Sequence, residues 1–163
     1  MGMRGVHFAL SKDQESRLLK ANDDDAVMKV VEDVEKAWDE PHVQETDKAW
    51  NAIHRCLTDG RLAYDNGTYP LNRCILGGRQ LYESDDYIVA FVTANEVHDV
   101  AEVLATIDQH QFRKRYFGIN PDDYNGRLSD EDFDYTWGWF EDLKGFYRRA
   151  ATDNRSVIFT VDQ

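Results

Sequence analysis

Near the start of the chain, hydrophobic and polar positions alternate, and the pattern then changes to helical spacing. Three apolar residues fall at every second position: Val6, Phe8 and Leu10. This alternation predicts a strand over residues 4–10 with one face in the core. Ser11 and Gln14 follow with the spacing of a capping box, so we expect a helix directly after the strand, ending near Ala21.

Two further segments carry apolar residues at helical intervals. The stripe of the first segment is Val27, Val30, Val31, Val34 and Trp38. Pro41 is expected to close this helix. The stripe of the second segment is Trp50, Ile53, His54 and Leu57. We expect Thr46 or Asp47 to cap the second helix and Gly60 to end it.

The segment after this helix is rich in turn formers. Asn66 and Gly67 form a strong turn pair, and Pro70 prevents regular strand pairing around it, so residues 61–71 are predicted to be a loop. Gly77 and Gly78 either make a turn or let the backbone approach a bulky group. A functional alternative is that the amides of these two glycines bind an anion.

The second half of the chain contains the most apolar strand. Residues 87–92, YIVAFV, are typical of a strand covered on both faces, and we place this strand in the middle of the sheet. Thr93 and Glu96 form a second capping box, which starts a helix ending near Ile107. A further short helix is expected to carry Phe112 and Tyr116 inward.

The C-terminal part is predicted to contain a loop, the longest helix and a last strand. The loop covers residues 118–127, the helix starts at Ser129, and the strand covers residues 157–161. Within the helix, Gly138 and Gly145 suggest close approach of another backbone or room for a ligand. The order of elements predicts a single α+β domain over residues 1–163, with a small, mainly three-stranded sheet and several helices packed on it.

The formal charge of −12 and the pI near 4.7 argue against nonspecific nucleic-acid binding, which depends on basic side chains, and we expect no nucleic-acid partner. Ten acidic residues but only two lysines lie between Asp23 and Asp47. This run fits a basic protein partner, although solvated helix faces explain most such runs. A small polar ligand is the other partner class that we expect.

Cys56 and Cys74 match neither a disulfide framework nor a metal signature, so we expect a reducing compartment, no metal and no cofactor. The first residues lack the features of a signal peptide, and no apolar run approaches the about 20 residues that cross a bilayer. We therefore predict a cytoplasmic protein that does not bind membranes.

His54 is the one candidate catalytic residue. A histidine on an apolar helix face is usually a partly buried core group with a hydrogen-bond partner. The alternative is a general acid or base beside Trp50, because the ordinary pKa of histidine lies near neutrality. Cys56 cannot join His54 in a catalytic pair, since two residues on a helix point about 200° apart.

Several motifs together resemble the YfbM-like family of small bacterial proteins of uncharacterised function. The motifs are DKAWNAIHRCLTDG, PLNRCILGG, the strand YIVAFV with its capped helix, and GFYRRAA before the final strand. The resemblance implies a bacterial α+β domain without an assigned activity. It also groups Trp50, His54, Gly77 and Gly78 into one small pocket, with Tyr69 or Tyr64 nearby.

Two functions stay open at this point. The first is a non-catalytic binding or interaction protein, of which one form is an immunity protein whose acidic surface neutralises a basic toxin. The second is a small-molecule hydrolase or transferase whose pocket lies at Trp50, His54 and Gly77–Gly78.

Overall fold

The structure is a computed structural model, which describes residues 3–124 and 128–162. Its strands are β1 (Gly5–Ala9), β2 (Val43–Asp47), β3 (Arg79–Gln80), β4 (Tyr87–Val92) and β5 (Val157–Asp162). Its helices are α1 (Lys12–Lys20), α2 (Asp24–Ala37), α3 (Trp50–Leu57), α4 (Ala94–Leu104), α5 (Gln109–Phe117) and α6 (Asp130–Thr152). Short 3-10 turns lie at Glu40–His42 and Leu71–Arg73.

The five strands form one antiparallel sheet in the order β2-β1-β5-β4-β3. The predicted α+β class is confirmed, but the prediction of a mainly three-stranded sheet is wrong in detail. Both missed strands lie at the sheet edges, where β2 is largely polar and β3 has only two residues. The placement of β4 in the middle is also wrong, because β5 occupies the centre and pairs with both β1 and β4.

Helices cover both faces of the sheet, which explains the continuous apolar sequence of β4. Val89 and Phe91 pack with α1 and α2 on one face. Ile88, Ala90 and Val92 belong to the larger core with α3 to α6 on the other face. Side chains alternate between the faces of a strand, so both sets must be apolar when both faces are covered.

The predicted helix starts are confirmed at three positions. Ser11 with Gln14 and Thr93 with Glu96 form complete capping boxes at α1 and α4. The Ser129 hydroxyl accepts a hydrogen bond from the Asp132 amide at the start of α6. Short side chains before a helix satisfy amides that have no partner inside it, so local sequence is sufficient to place these starts.

The predicted start of α3 is wrong. Thr46 and Asp47 lie in β2, and the Thr46 hydroxyl donates to the Gly5 carbonyl at 3.2 Å. Ala49 occupies the N-cap position without a side-chain hydrogen bond. The helix ends at Leu57, and Gly60, with φ of 92°, donates to the Arg55 carbonyl in the turn that follows.

The two helical glycines of α6 do not mark a close backbone approach. A Cβ atom at Gly138 would meet nothing within 4 Å, and one at Gly145 would meet only arginine side-chain atoms. The predicted loop over residues 118–127 lies partly outside the described residues. No helix within the described ranges is long and apolar enough to cross a membrane.

Candidate functional site

Trp50, the first residue of the predicted pocket, lies in the core. Its side chain is only 3% exposed, and its ring centroid lies 5.7 Å from that of Phe159 in β5. The indole Nε1 donates to the Met3 carbonyl at 2.8 Å. The polar atom of Trp50 therefore already has a partner, and the indole joins α3 to the segment that precedes β1.

His54 lies one turn later and is 1% exposed. Its Nε2 lies 2.9 Å from Asn66 Oδ1. The orientation of the Asn66 amide is fixed, because its Nδ2 donates to the Asp59 carboxylate at 2.6 Å and to the Arg61 carbonyl at 2.8 Å. Since Asn66 presents an acceptor to the ring, His54 Nε2 must carry the proton.

The environment of His54 favours its neutral form. Burial lowers the pKa of His54, while Asn66, the Ala63 backbone and Asp59 oppose this shift. Its Nδ1 is buried without a hydrogen bond of good geometry within the described residues. A neutral ring with an unprotonated Nδ1 has the chemistry of a base, but a substrate can reach it only after the segment around Asn66 moves away.

Gly77 and Gly78 lie where protein backbones come close together. A Cβ atom at Gly77 would lie 1.9 Å from the Asn72 carbonyl oxygen, and one at Gly78 would lie 2.6 Å from the Phe91 carbonyl oxygen. Any side chain at either position would collide with backbone. The close contacts that require glycine here are therefore contacts within the protein.

Tyr69 lies on the surface and is 50% exposed. Its hydroxyl donates to the Asp99 carboxylate at 2.6 Å, and this hydrogen bond is the main cause that raises the pKa of Tyr69 to about 12. The Arg73 guanidinium lies 5.6 Å from the Tyr69 ring centroid and donates to the Gly77 carbonyl at 2.6 Å. Arg73 thus connects two of the predicted ligand residues, Tyr69 and Gly77.

The predicted constellation is divided between separate environments. Trp50 and His54 lie in the interior, whereas Tyr69 is at the surface. Within the described residues, neither Trp50 nor His54 shares a hydrogen bond or ring contact with Gly77, Gly78 or Tyr69. The hollow that the sequence placed between the helix and the double glycine therefore stays a prediction without a direct contact to support it.

A cleft of about 750 Å³ lies elsewhere, between the α1–α2 turn and β3. We call it the β3-edge cleft. Four carboxylates and two basic side chains line it: Asp23, Asp24, Asp25 and Glu83, with Lys20 and Arg79. The lining is therefore net acidic, and it contains the start of the acidic run that the sequence singled out.

Asp24 joins the two walls of this cleft. Its carboxylate accepts hydrogen bonds from the Glu83 amide at 2.8 Å and from the Ser84 amide and hydroxyl at 3.1 and 2.5 Å. These contacts lower the pKa of Asp24. Asp23 is the N-cap of α2. The carboxylates of Asp25 and Glu83 form no ion pair within the described residues and are free to meet a ligand.

The β3 strand contributes an open edge to the same cleft. The Leu81 amide donates to the Val89 carbonyl at 2.9 Å, and Gln80 is opposite Ala90. Hydrogen-bonding groups alternate between the two sides of an antiparallel strand, so the main-chain N–H and C=O of Gln80 point away from β4. These groups lie at an edge to which no other described strand is paired.

Sequence reasoning missed this cleft because its walls are far apart along the chain. The contact between Asp24 and Glu83 spans 59 positions. The local signal for β3 is weak: a two-residue strand between the Gly77–Gly78 pair and the turn-forming run at residues 83–86. Nothing in that pattern indicates which helix lies beside the strand.

Comparisons with known proteins agree with this architecture. The family described as a domain of unknown function (DUF1877) matches residues 1–160. Among solved structures, the protein of unknown function YfbM from Escherichia coli is 22% identical, with a TM-score of 0.72. That match covers 98% of this chain and 99% of the other, and it shows a shared fold. A comparison with curated proteins gives no match.

Proposed function

Since the chain belongs to the family of the domain of unknown function DUF1877, we propose a function from its own surface: it binds a basic, extended segment of a partner polypeptide in the β3-edge cleft. The YfbM-like family predicted from the sequence motifs is confirmed. An immunity protein that neutralises a basic toxin would act through such a surface.

The observation that carries this proposal is the open edge of β3 beside unpaired carboxylates. An extended peptide can add a strand to an exposed sheet edge, where main-chain hydrogen bonds supply affinity. The outward N–H and C=O of Gln80 would form those bonds. Asp25 and Glu83 would select basic side chains, because opposite charges across an interface favour one partner over others.

Two features make the cleft ready for such a segment. Asp24 fixes the segment 83–84 against α2, so the cleft walls are ordered before binding. A preorganised site loses less conformational entropy on binding. Leu19, which is 43% exposed, adds an apolar surface to the lining for the non-basic side chains of the segment.

A synthetic peptide of alternating lysine and valine, blocked at both ends, tests this proposal in titration calorimetry and NMR. We expect it to bind and to shift the amide signals of residues 79–81, whereas a glutamate–valine peptide should not bind. Affinity should fall with added salt, because the charge contribution is screened. Equal binding of the two peptides would contradict the proposal.

Two pairs of variants locate the interaction. Gln80→Pro removes the outward N–H and should abolish binding, while Gln80→Ala removes the same side chain, keeps the N–H and should bind. The double change Asp25→Lys with Glu83→Lys should also abolish binding of the lysine peptide. Glu141→Lys, on the exposed side of α6, is the charge control and should bind as the unchanged protein does.

An enzyme that uses His54 as general acid or base is the alternative proposal. It requires the segment around Asn66 to move away from the buried ring, and no contact of the described residues favours that movement.

A further inference from the structure

A second cleft lies at the opposite edge of the sheet, beside β2. It has a volume of about 250 Å³ and is bounded by the end of α2, the turn at Glu40–His42, β2 and one turn of α6. Its lining residues are Trp38, Glu40, Val43, Gln44, Glu45 and Trp139. We call it the Trp38 cleft.

The backbone of Trp38 is held in an unusual conformation. Trp38 is the C-cap of α2 and has φ of 38° and ψ of 57°, in the left-handed region where glycine or asparagine is the usual choice. A bulky residue there carries a backbone penalty that persists only when surrounding contacts enforce it, and such positions concentrate at functional sites. The Phe8 ring supplies one such contact, edge-on at 5.8 Å between centroids.

The indole of Trp38 is also accessible at the surface. It is 40% exposed, and Trp139 from α6 lines the same cleft. A glycine at this C-cap would remove the backbone strain and the exposed apolar surface together. Two tryptophans therefore line a small surface cleft, and tryptophan is the aromatic side chain that attracts cations most strongly.

The charged residues that line the cleft are of one sign. Glu40 and Glu45 line it, and within the described residues neither of their carboxylates forms an ion pair or a side-chain hydrogen bond. The C-terminal end of α2 adds the negative pole of the helix dipole beside Trp38. No basic side chain is among the lining residues. The cleft therefore combines two tryptophan side chains with two unpaired carboxylates.

We propose that the Trp38 cleft binds an alkylammonium group, either that of a small quaternary amine or that at the end of a methylated lysine side chain. The methyl groups contact the indoles and Val43, and the positive charge lies near Glu40 and Glu45. The volume of the cleft suits one such head group, since the pockets that hold drug-sized ligands measure about 300 Å³ or more. The site is independent of the β3-edge cleft, which lies at the other end of the strand order.

Choline and its neutral isostere 3,3-dimethylbutan-1-ol provide the central comparison. The trimethylammonium group of choline and the tert-butyl group of the alcohol have the same shape, so the charge is the main difference between the two compounds. We expect choline to shift the indole N–H signals of Trp38 and Trp139 in NMR titrations and to bind at least tenfold more tightly than the alcohol. Equal affinity of the two compounds, or no binding of choline, would overturn the proposal.

Variants establish where choline binds. Trp38→Gly removes the indole while fitting the left-handed backbone, so the protein should stay folded and lose at least fivefold in choline affinity. Glu45→Gln should lose affinity to a similar degree. Tyr64→Leu removes another exposed aromatic side chain away from the cleft and should leave the affinity unchanged. Unchanged affinity in Trp38→Gly would place choline elsewhere and overturn the assignment.

Two further probes distinguish the source of the ammonium group. A blocked peptide with one trimethyl-lysine that binds at least tenfold more tightly than choline would identify a protein ligand, and the reverse order would identify a small amine. Methylguanidine is the competing cation. Tighter binding of methylguanidine than of either ammonium probe would overturn the alkylammonium assignment in favour of an arginine side chain.

Discussion

His54 Nε2 lies 2.9 Å from Asn66 Oδ1, and this contact connects α3 to the loop that covers it. The amide nitrogen of Asn66 is in turn held by the Asp59 carboxylate and the Arg61 carbonyl. Asn66 is itself buried although it lies in a loop. The pair therefore determines both the state of the imidazole and the position of the loop.

Replacing Asn66 should destabilise the fold. In Asn66→Ala the His54 Nε2–H and the Arg61 carbonyl lose a buried partner, and each such loss is costly, so we expect a decrease of about 2 kcal/mol in the free energy of unfolding. Chemical denaturation measures this change. Asn95→Ala, on the exposed face of α4, should stay within about 0.5 kcal/mol of the unchanged protein. A similar effect of the two changes would show that Asn66 does not hold the loop.

The closed environment of His54 should protect it from chemical modification. Diethylpyrocarbonate reacts with accessible neutral imidazoles, and mass spectrometry of the peptides gives the rate at each histidine. We expect exposed His110 to react quickly and buried His54 and His7 to react only on local unfolding. Reaction of His54 as fast as that of His110 would show an accessible ring and would favour the enzymatic alternative.

His7 should make stability depend on pH. Burial lowers the pKa of His7 to about 4 in the folded protein, against 6.5 for an exposed histidine. Between these values the unfolded chain binds more protons, so acid favours unfolding. The stabilising contribution is complete above pH 6.5 and is lost as the pH falls to about 4, a decrease of about 3 kcal/mol. Burial of His54, whose pKa is also lowered, adds to the same trend.

His7→Phe tests this prediction through the slope of stability against pH. The variant should lose most of the decrease between pH 6.5 and 4, whatever its absolute stability. The Cys74 carbonyl, which His7 Nε2 contacts at 2.8 Å, keeps a hydrogen bond from the Tyr147 hydroxyl at 2.7 Å. His110→Phe, at an exposed position, should keep the slope of the unchanged protein. An unaltered slope in His7→Phe would contradict the assignment.

Gly138 and Gly77 should respond in opposite directions to alanine. A Cβ atom at Gly138 meets nothing within 4 Å, so Gly138→Ala should stabilise α6 by about 1 kcal/mol and raise Tm by about 2–4 °C. At Gly77 the same atom would lie 1.9 Å from the Asn72 carbonyl oxygen, so Gly77→Ala should lower Tm. Thermal unfolding followed by circular dichroism distinguishes these results. Destabilisation by Gly138→Ala would show that the folded protein requires glycine at this position.

The surroundings of His54 show which features of the candidate site could be predicted from local sequence pattern. Spacing placed His54 on the apolar face of a helix, and the structure shows that face in the core. The partner of the ring, Asn66, lies in the next loop, where the sequence indicated only a turn. Whether a polar side chain on an apolar face reaches solvent depends on what covers that face, and helical periodicity contains no information about the cover.

The sequence by itself determined the elements that depend on near neighbours. Capping pairs and apolar periodicity placed the starts of α1, α4 and α6, and the double-sided apolar pattern identified β4. Only the tertiary structure decided that β5 is central, that two short polar strands form the edges, and that Trp38 and Asp24 border clefts. Those features depend on contacts between residues far apart in the chain. A polar edge strand forms because it hydrogen-bonds to a neighbouring strand, and its own sequence does not show which strand that is.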